Sequence, residues 1–432
     1  MKRRSLIQVV FSVVMVWSLI VLALGCAAPT PPKEKGEVVD VLAREPIGVV
    51  RTFSINDLTG PSASTCVPHN NGLNDCYADL NAAGGLIYDD PKTGRQERVI
   101  IKFEWGDNKG QAGAVPTLYE RMATATPKPV LCYMGSTAAA ETLLPWTERD
   151  HIVEFSGMAT IPLWYPPRWN FTGTPDYAGM ACTAAWWAMN DWKAKGKTGN
   201  PGWAWFTFDS TYGRAPIKPQ SEDYIRGLGF NIVGLWAMAT SPVDYSGELT
   251  AMKRAGADYF YGNFNTPHSA VIMRNLSGLN LKGELVPTVC PYAIHADIVD
   301  RAGADAEGLV GVHYGALTTE MDRPGVKATY ERAVRHDRKY NADYLLSGML
   351  SRIMTDPIKL ALETNGYPIT GDDVFKAMIS PNGWESGGIT PKITWTETER
   401  RGMRTTYMRG VKDGKIVRVS EEFSVPDMSP RE

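Results

Sequence analysis

From Pro46 onward, short apolar runs alternate with longer amphipathic stretches, and this alternation constrains the fold more than any other feature of the sequence. Apolar runs bounded by turn residues are typical of buried strands, and the amphipathic stretches are typical of helices that cross over a parallel sheet. The first series predicts strands at Ile47–Phe53, Val99–Trp105, Pro129–Met134 and Ile152–Phe155, with helices over 71–83, 111–125 and 138–147. These elements make one α/β unit.

A second series follows the aromatic, proline-rich passage IPLWYPPRWNFTGTPDYAG. It predicts strands at Trp203–Phe208, Asn231–Leu235, Tyr259–Tyr261 and Glu284–Val289, with helices over 213–228, 244–255 and 269–276. At about 150 residues per domain, the body of the chain is long enough for two or three such cores. The sequence therefore predicts two α/β halves.

The last third of the chain changes character. It predicts a strand at Gly308–His313, long helices over 326–340 and 343–364, and a shorter helix after Thr370. The period then becomes two in ITPKITWTET, RTTYMRGVKDG and KIVRVSEEF, with Asp413-Gly414 as a hairpin turn. We expect a small antiparallel C-terminal addition.

The N-terminus has the layout of a secretory signal, with basic MKRR before the uncharged apolar stretch Leu6–Leu24. That stretch is also long enough to be an uncleaved membrane anchor. Gly25 and Cys26 then resemble a bacterial lipoprotein cleavage site, although Ala23 stands where that pattern usually has Leu. We expect a signal peptide over 1–26, a lipidated Cys26, a linker over 27–45 and an extracytoplasmic body anchored to the bacterial membrane.

The net charge argues against some classes of partner, and the cysteines suggest a candidate disulfide but no zinc site. The net charge of −2, with no basic run beyond the leader, gives no electrostatic case for nucleic acid or an acidic membrane surface. Cys66 and Cys76 are close enough in sequence to be a candidate disulfide in an oxidising compartment. Cys132, Cys182 and Cys290 lie in apolar surroundings typical of buried thiols, and the spacing matches no zinc site.

Several phrases, in order along the chain, carry a family resemblance: GVVRTFSINDLTGPSAS, NDCYADLNAAGGL, WGDNKG, VLCYMGSTAAAE, HIVEFSGMAT, DSTYGRA, AEGLVGVHYGA and TGDDVFKAM. They resemble the solute-binding proteins of branched-chain amino acid (Leu/Ile/Val-binding) type ABC transporters over nearly the whole mature chain. The resemblance implies a type I periplasmic binding fold, in which two Rossmann-like lobes close like a Venus flytrap on a ligand in the cleft.

Three segments should cross between the lobes, near 164–170, 291–296 and 383–389. This division assigns 46–164 and 294–385 to lobe 1, and 165–293 and 386–425 to lobe 2. The resemblance also implies delivery of the ligand to permease and ATPase subunits by a monomeric binding protein. The same module can instead serve a membrane sensor, and an extracytoplasmic hydrolase is a third alternative.

Ligands of open α/β sheets bind beyond the carboxyl ends of the strands, where helix N-termini favour an anionic group. The turn Gly135-Ser136-Thr137 follows the third predicted strand, and Ser156 to Thr160 follow the fourth. The resemblance implies that these turns hold a ligand carboxylate and that aromatic residues of lobe 2 face it, whereas the alternative is ordinary helix capping. The predicted ligand-binding residues are Ser136, Thr137, Ala159, Thr160, Tyr212, Phe264, Asn265 and Tyr292.

One departure from the family bears on the ligand. Amino acid binders of this type place an acidic residue against the ligand ammonium group, because a buried cation without a partner is costly. Here Cys290 and Pro291 occupy the corresponding stretch, and Asp209 is the nearest replacement. We expect a small carboxylate-bearing solute, either an amino acid or another organic or aromatic acid or amide. The missing acidic residue argues against an amino acid, and a carboxylate with an apolar or aromatic body suits the aromatic content.

No motif for an enzyme, a cofactor or a metal ion is present: the sequence has no G-x-S-x-G, H-E-x-x-H, Walker or G-x-G-x-x-G pattern. The six histidines are scattered, and His313 ends a strand as a core residue would. Asp107 and Glu154 lie at strand ends, where we interpret them as structural or as polar ligand contacts. We expect a binding protein and not an enzyme.

Overall fold

Two separate sheets hold the strands, as the two series of apolar runs predict. The structure is a computed structural model that describes residues 41–241, 243–295 and 297–430. Residues 1–44 separate from the rest as a unit of their own, and residues 45–432 form the other unit. The first unit is described only from the 3₁₀ turn Val41–Ala43 onward. Cys26 and the predicted signal peptide lie outside the described residues.

The first sheet has six strands in the order β2-β3-β1-β4-β5-β6. Only β2 runs antiparallel to its neighbour, and β1, β4 and β5 carry near-continuous buried runs, as parallel strands covered on both faces do. The strands are β1 Gly48–Asn56, β2 Leu86–Asp90, β3 Arg95–Asp107, β4 Leu131–Met134, β5 Val153–Ser156 and β6 Asn170–Thr172. Between them lie the helices α1 Ala63–Ala82, α2 Val115–Ala123, α3 Thr137–Asp150 and α4 Ile161–Trp164.

The second sheet has eight strands, ordered β13-β12-β11-β10-β9-β7-β8, with β14 paired to β12. Its strands are β7 Gly202–Phe208, β8 Asn231–Met238, β9 Tyr259–Gly262, β10 Val286–Val289, β11 Val310–His313, β12 Thr405–Lys412, β13 Lys415–Arg418 and β14 Phe423–Ser424. Its helices are α5 Tyr177–Ala194, α6 Thr211–Arg214, α7 Pro219–Gly227, α8 Ser246–Arg254, α9 Thr266–Gly278 and α10 Ile298–Ala302.

Three later helices return to the first sheet, so the described chain forms two lobes. They are α11 Pro324–Arg335, α12 Ala342–Asn365 and α13 Gly371–Met378. Helix α12 packs along α1 and β2, and α13 packs on β5. The α/β fold with two lobes is the one that the sequence predicts, and the short antiparallel addition is confirmed as the β12–β13 hairpin, whose turn residues Asp413 and Gly414 have φ of 52° and 69°. This hairpin extends the second sheet, because β12 pairs with β11.

The lobe boundaries differ from the predicted ones. Strand β6 belongs to the first sheet, so the chain leaves lobe 1 after Thr172 and not at residue 165. Strand β11 pairs with β10 and β12, which places residues 294–313 in lobe 2; the second crossing is 314–323 and not 291–296. Residues 386–401 stay with lobe 1, because Thr172 bridges Arg401 and Trp395 packs against Phe155 and Phe171. The third crossing therefore lies near 402–404.

The candidate disulfide is absent from the structure. Cys66 and Cys76 are both free thiols on α1. Ten residues of an α-helix span about 15 Å, whereas the Cα atoms of a disulfide lie within about 7 Å. Pairing of these two cysteines would require α1 to unfold.

Candidate functional site

A cavity of about 140 Å³ lies between the lobes, where the carboxyl ends of both sheets face each other. First-lobe residues follow β1, β3, β4 and β5, and second-lobe residues lie at the end of β7 or follow β7, β8, β9 and β10. The residues that line it are Asp57, Pro61, Ser62, Thr65, Cys66, Gly110, Gly135, Ser136, Thr137, Ala138, Met158, Phe208, Ser210, Thr211, Tyr212, Thr240, Asn265 and Tyr292. We call this the ligand cavity.

Three long helices begin at the ligand cavity. Their N-cap residues are Ser62 for α1, Ser136 for α3 and Asn265 for α9, and in the described structure none of these side chains accepts a capping hydrogen bond from its own helix. The first N–H groups of a helix lack intrahelical partners and carry partial positive charge. Together these ends favour a negatively charged ligand group, α3 most of all, because Asp57 already accepts a hydrogen bond at the start of α1 and α9 has a proline in its first turn.

Thr137 adds a free hydroxyl to this arrangement. Its side chain is 3% exposed, and its Oγ1 makes no hydrogen bond of normal length among the described residues, although the hydroxyl of Tyr177 also lies near it. A buried polar atom without a partner costs about 1–3 kcal/mol. A ligand that accepts a hydrogen bond from Thr137 would remove this cost.

Aromatic side chains form the second-lobe wall. Tyr212 donates its hydroxyl to the carbonyl of Phe264 at 3.2 Å, and its ring meets that of Tyr292 edge to face, with centroids 6.3 Å apart. The Tyr292 hydroxyl donates across the cleft to the carbonyl of Gly157 at 3.0 Å. Burial raises the pKa of both tyrosines well above the ordinary value. Both rings therefore stay neutral and present apolar surface to a ligand.

No Lys, Arg or His side chain is among the residues that line the ligand cavity. Asp57 lines it, but its carboxylate already accepts the N–H groups of Gly60 at 2.6 Å and Ser62 at 2.8 Å. Burial raises the pKa of the Cys66 thiol to about 12, so this side chain is also neutral. The cavity thus offers N–H and O–H donors to an anion, and the charge of its one described carboxylate, Asp57, is already shared with two backbone N–H groups.

Five of the eight predicted ligand-binding residues line the cavity: Ser136, Thr137, Tyr212, Asn265 and Tyr292. The other three lie elsewhere in this structure. The carbonyl of Ala159 accepts the N–H of Tyr177 at 2.9 Å, and Thr160 donates its hydroxyl to Glu141 at 2.5 Å. Phe264 is fully buried beside Tyr212.

Sequence reasoning missed Asp57, Ser62 and Cys66, although the DLTGPS turn that carries the first two belongs to the family resemblance. It also missed Met158, which precedes the predicted Ala159 and Thr160 and takes their place at the cavity. The only available indication was position, since each of these residues follows a strand of the first sheet or begins its next helix.

The carboxylates considered as alternatives lie outside the ligand cavity. Asp209 is exposed and pairs with Arg214 at 2.9 Å. Glu154 is fully buried in β5, where burial raises its pKa well above the ordinary value. Asp107 accepts the N–H of Leu58 and is a loop-capping residue.

No cluster of possible metal ligands was found within the described residues. Among those residues no helix combines the length and apolar character needed to cross a bilayer.

Comparisons with known structures give the same architecture. A branched-chain amino acid ABC transporter protein from Thermus thermophilus with bound valine superposes with a TM-score of 0.76 at 21% identity, covering 87% of this chain and 96% of that one. A fatty acid ABC transporter substrate-binding protein from Thermomonospora curvata gives 0.74 at 15% identity, covering 88% and 94%. A solute-binding protein from Rhodopseudomonas palustris BisB5 in complex with 3,4-dihydroxy benzoic acid gives 0.68 at 18%, covering 88% and 98%.

No curated protein is similar enough to this sequence to count as a relative. The family model for periplasmic binding proteins, in contrast, matches residues 54–415, which include most of both lobes and all three crossing segments. Together with the two-lobed fold and the cavity between the lobes, this match shows that the chain belongs to the periplasmic binding protein family.

Proposed function

We propose that this protein captures a small organic acid with an apolar or aromatic body outside the cytoplasm and delivers it, as a monomer, to the permease and ATPase subunits of an ABC importer. The observation that supports this most is the convergence of three helix N-termini on a cavity whose described lining residues include no Lys, Arg or His and one carboxylate, Asp57, which already accepts two backbone N–H groups. A carboxylate fits these donors without needing a cationic side chain.

The size of the cavity supports a ligand with one ring or a short chain. A protein cavity of about 150 Å³ accommodates benzene, and the ligand cavity here is about 140 Å³. Structural neighbours hold valine, 3,4-dihydroxy benzoic acid and p-hydroxybenzoic acid. Asp57 is the only carboxylate among the described residues of the lining, and two backbone N–H groups already share its charge. An aromatic acid without an amino group is therefore favoured over an amino acid.

Calorimetric titration of the mature protein with benzoate, 4-hydroxybenzoate, valine and benzamide tests this proposal. We expect the two aromatic acids to bind and uncharged benzamide to bind far more weakly. Thr137→Val removes this hydroxyl and should lower the affinity for benzoate about 10- to 100-fold, which corresponds to the loss of one hydrogen bond to a charged group. Thr142→Val is the matched control, because Thr142 lies one turn along α3 and donates to the Ala138 carbonyl.

Three outcomes would contradict the proposal: equal affinity for benzamide and benzoate, an equal effect of both threonine substitutions, or binding of valine alone. Equal affinity for the amide and the acid would show that the ligand cavity has no anion site. Equal effects of the two substitutions would mean that Thr137 acts only through stability. Binding of valine alone would show that the ammonium group finds a partner that the cavity lining does not supply.

We also propose that Cys26 is lipidated and anchors the protein to the membrane. The apolar stretch that ends in Gly25-Cys26 supports this proposal. Cys26→Ser should leave an unprocessed precursor or release the protein from the membrane fraction, as fractionation and mass spectrometry of the N-terminus can show. Normal processing with unchanged membrane association would contradict it.

A further inference from the structure

Another pocket, of about 310 Å³, lies beside the second crossing segment and apart from the ligand cavity. We call it the hinge pocket. Its walls come from the second crossing, from residues 389–391 and from β12 and β13. It is lined by Tyr314, Gly315, Leu317, Glu320, Arg323, Ile389, Thr390, Pro391, Tyr407, Arg409, Arg418 and Glu422. None of these residues lines the ligand cavity.

Arg409 is the unusual residue of the hinge pocket. Its side chain is 2% exposed, and within the described chain it has no carboxylate within ion-pair distance. One terminal nitrogen donates to the carbonyl of Pro291 at 3.0 Å, the other lies 3.2 Å from Nε2 of His313, and Nε has no partner among the described residues. Burying a guanidinium without an anion is costly.

His313 does not supply the missing charge. Burial and the neighbouring Arg409 hold the pKa of His313 well below its ordinary value, so the ring is neutral. The negative charge of Asp343 is near enough to raise the pKa of Arg409, but the Asp343 carboxylate pairs with His295, whose Nδ1 lies 3.1 Å away. Burial, in turn, lowers the pKa of Arg409 to about 10, which leaves the guanidinium charged at neutral pH.

The remaining charged residues of the hinge pocket leave an excess of positive charge. Arg323 pairs with Glu320 at 3.0 Å, so those two charges offset each other. Arg418 lies over the ring of Tyr407, 4.5 Å from its centroid, and donates to the Ser420 carbonyl. Glu422 is exposed at the rim. Two cations therefore face one exposed carboxylate.

We propose that the hinge pocket binds a small oxyanion or carboxylate through Arg409, with Arg418 contributing from the rim. A planar guanidinium with an unused donor suits an anion that has two or more oxygens. The pocket volume, about 310 Å³, admits such an anion with its water shell. The lining of this site shares no residue with that of the ligand cavity.

Isothermal titration with sodium sulfate and, separately, sodium acetate tests the proposal, using the mature protein in a buffer of low ionic strength. We expect saturable binding of one anion per chain; sulfate binding alone would assign the site to inorganic oxyanions, and acetate binding alone to carboxylates. Arg409→Gln should weaken binding at least tenfold and Arg418→Gln about threefold. Arg254→Gln makes the same charge change on exposed α8 and should have no effect.

Thr137→Val separates this site from the ligand cavity. If anion binding falls in Thr137→Val and persists in Arg409→Gln, the anion occupies the ligand cavity and the proposal is wrong. Absence of saturable binding to the wild-type protein, or equal losses in Arg418→Gln and Arg254→Gln, would also overturn it. Arg418 is exposed, so its substitution tests the site even if Arg409→Gln does not fold.

Discussion

The hydroxyl of Tyr292 joins the two lobes, and its removal should weaken closure of the cleft by a calculable amount. It donates from lobe 2 to the carbonyl of Gly157 in lobe 1 at 3.0 Å. In Tyr292→Phe that carbonyl keeps a second donor, Thr174, at 3.2 Å, so no bare acceptor remains. The loss should then be an ordinary neutral hydrogen bond, about 0.5–1.5 kcal/mol. Since 1.4 kcal/mol is about tenfold in affinity, ligand binding should weaken about 2- to 12-fold.

Calorimetric titration with an aromatic acid gives the affinity, and small-angle scattering with and without that ligand gives the compaction. Tyr340→Phe is the matched control, because its hydroxyl donates to Val326 at 3.4 Å within lobe 1. Unchanged affinity together with unchanged compaction in Tyr292→Phe would refute a role of this bond in closure. A loss above about 100-fold exceeds one neutral hydrogen bond and would mean that Tyr292 binds the ligand directly.

Two further predictions concern stability. Burial lowers the pKa of His69 from 6.5 to about 4, against the opposing effect of Asp343. As pH falls, the unfolded chain therefore binds a proton at His69 before the folded chain does, and the free energy of unfolding should fall by about 3 kcal/mol between pH 7 and pH 4. Urea unfolding measures this loss, and His69→Asn should abolish it. Gly262→Ala would place Cβ 1.8 Å from the Phe206 carbonyl oxygen and should destabilise the fold by several kcal/mol. Gly278→Ala has open space at the end of α9 and should stabilise the fold by up to about 1 kcal/mol. Similar urea midpoints for the two variants would contradict the assigned packing.

Strands with a compact apolar run could be predicted because their own residues carry the pattern. Strands β4, β5, β7 and β9 lie within a residue or two of the predicted ranges. Helix α5 could not be predicted in this way. Residues 177–185, its first half, are all buried, so that half has no polar face and no helical period.

The lobe boundaries depend on pairing between distant residues, and no local pattern encodes that pairing. Strand β11 looks like any other buried strand, and its lobe is fixed by its pairing with β10 and with β12, which lies far later in the sequence. The segment 389–398 alternates like a strand, but Trp395 inserts between Phe155 and Phe171 of lobe 1, and only Ile393 forms a bridge. Alternation alone cannot distinguish a strand from a segment held by one large side chain.

The same limit applies to the site. Sequence position identifies Ser or Thr before a helix, but not whether its side chain serves the helix or a ligand. Asn341 and Thr370 accept hydrogen bonds from their own helices, whereas Ser136 does not. Thr160 begins a helix as Ser136 does, yet its hydroxyl is held by Glu141 from the preceding helix. The choice between capping and ligand binding is therefore made by the neighbours that surround each hydroxyl in the folded chain, and at Ser136 and Thr137 those neighbours leave the ligand cavity open.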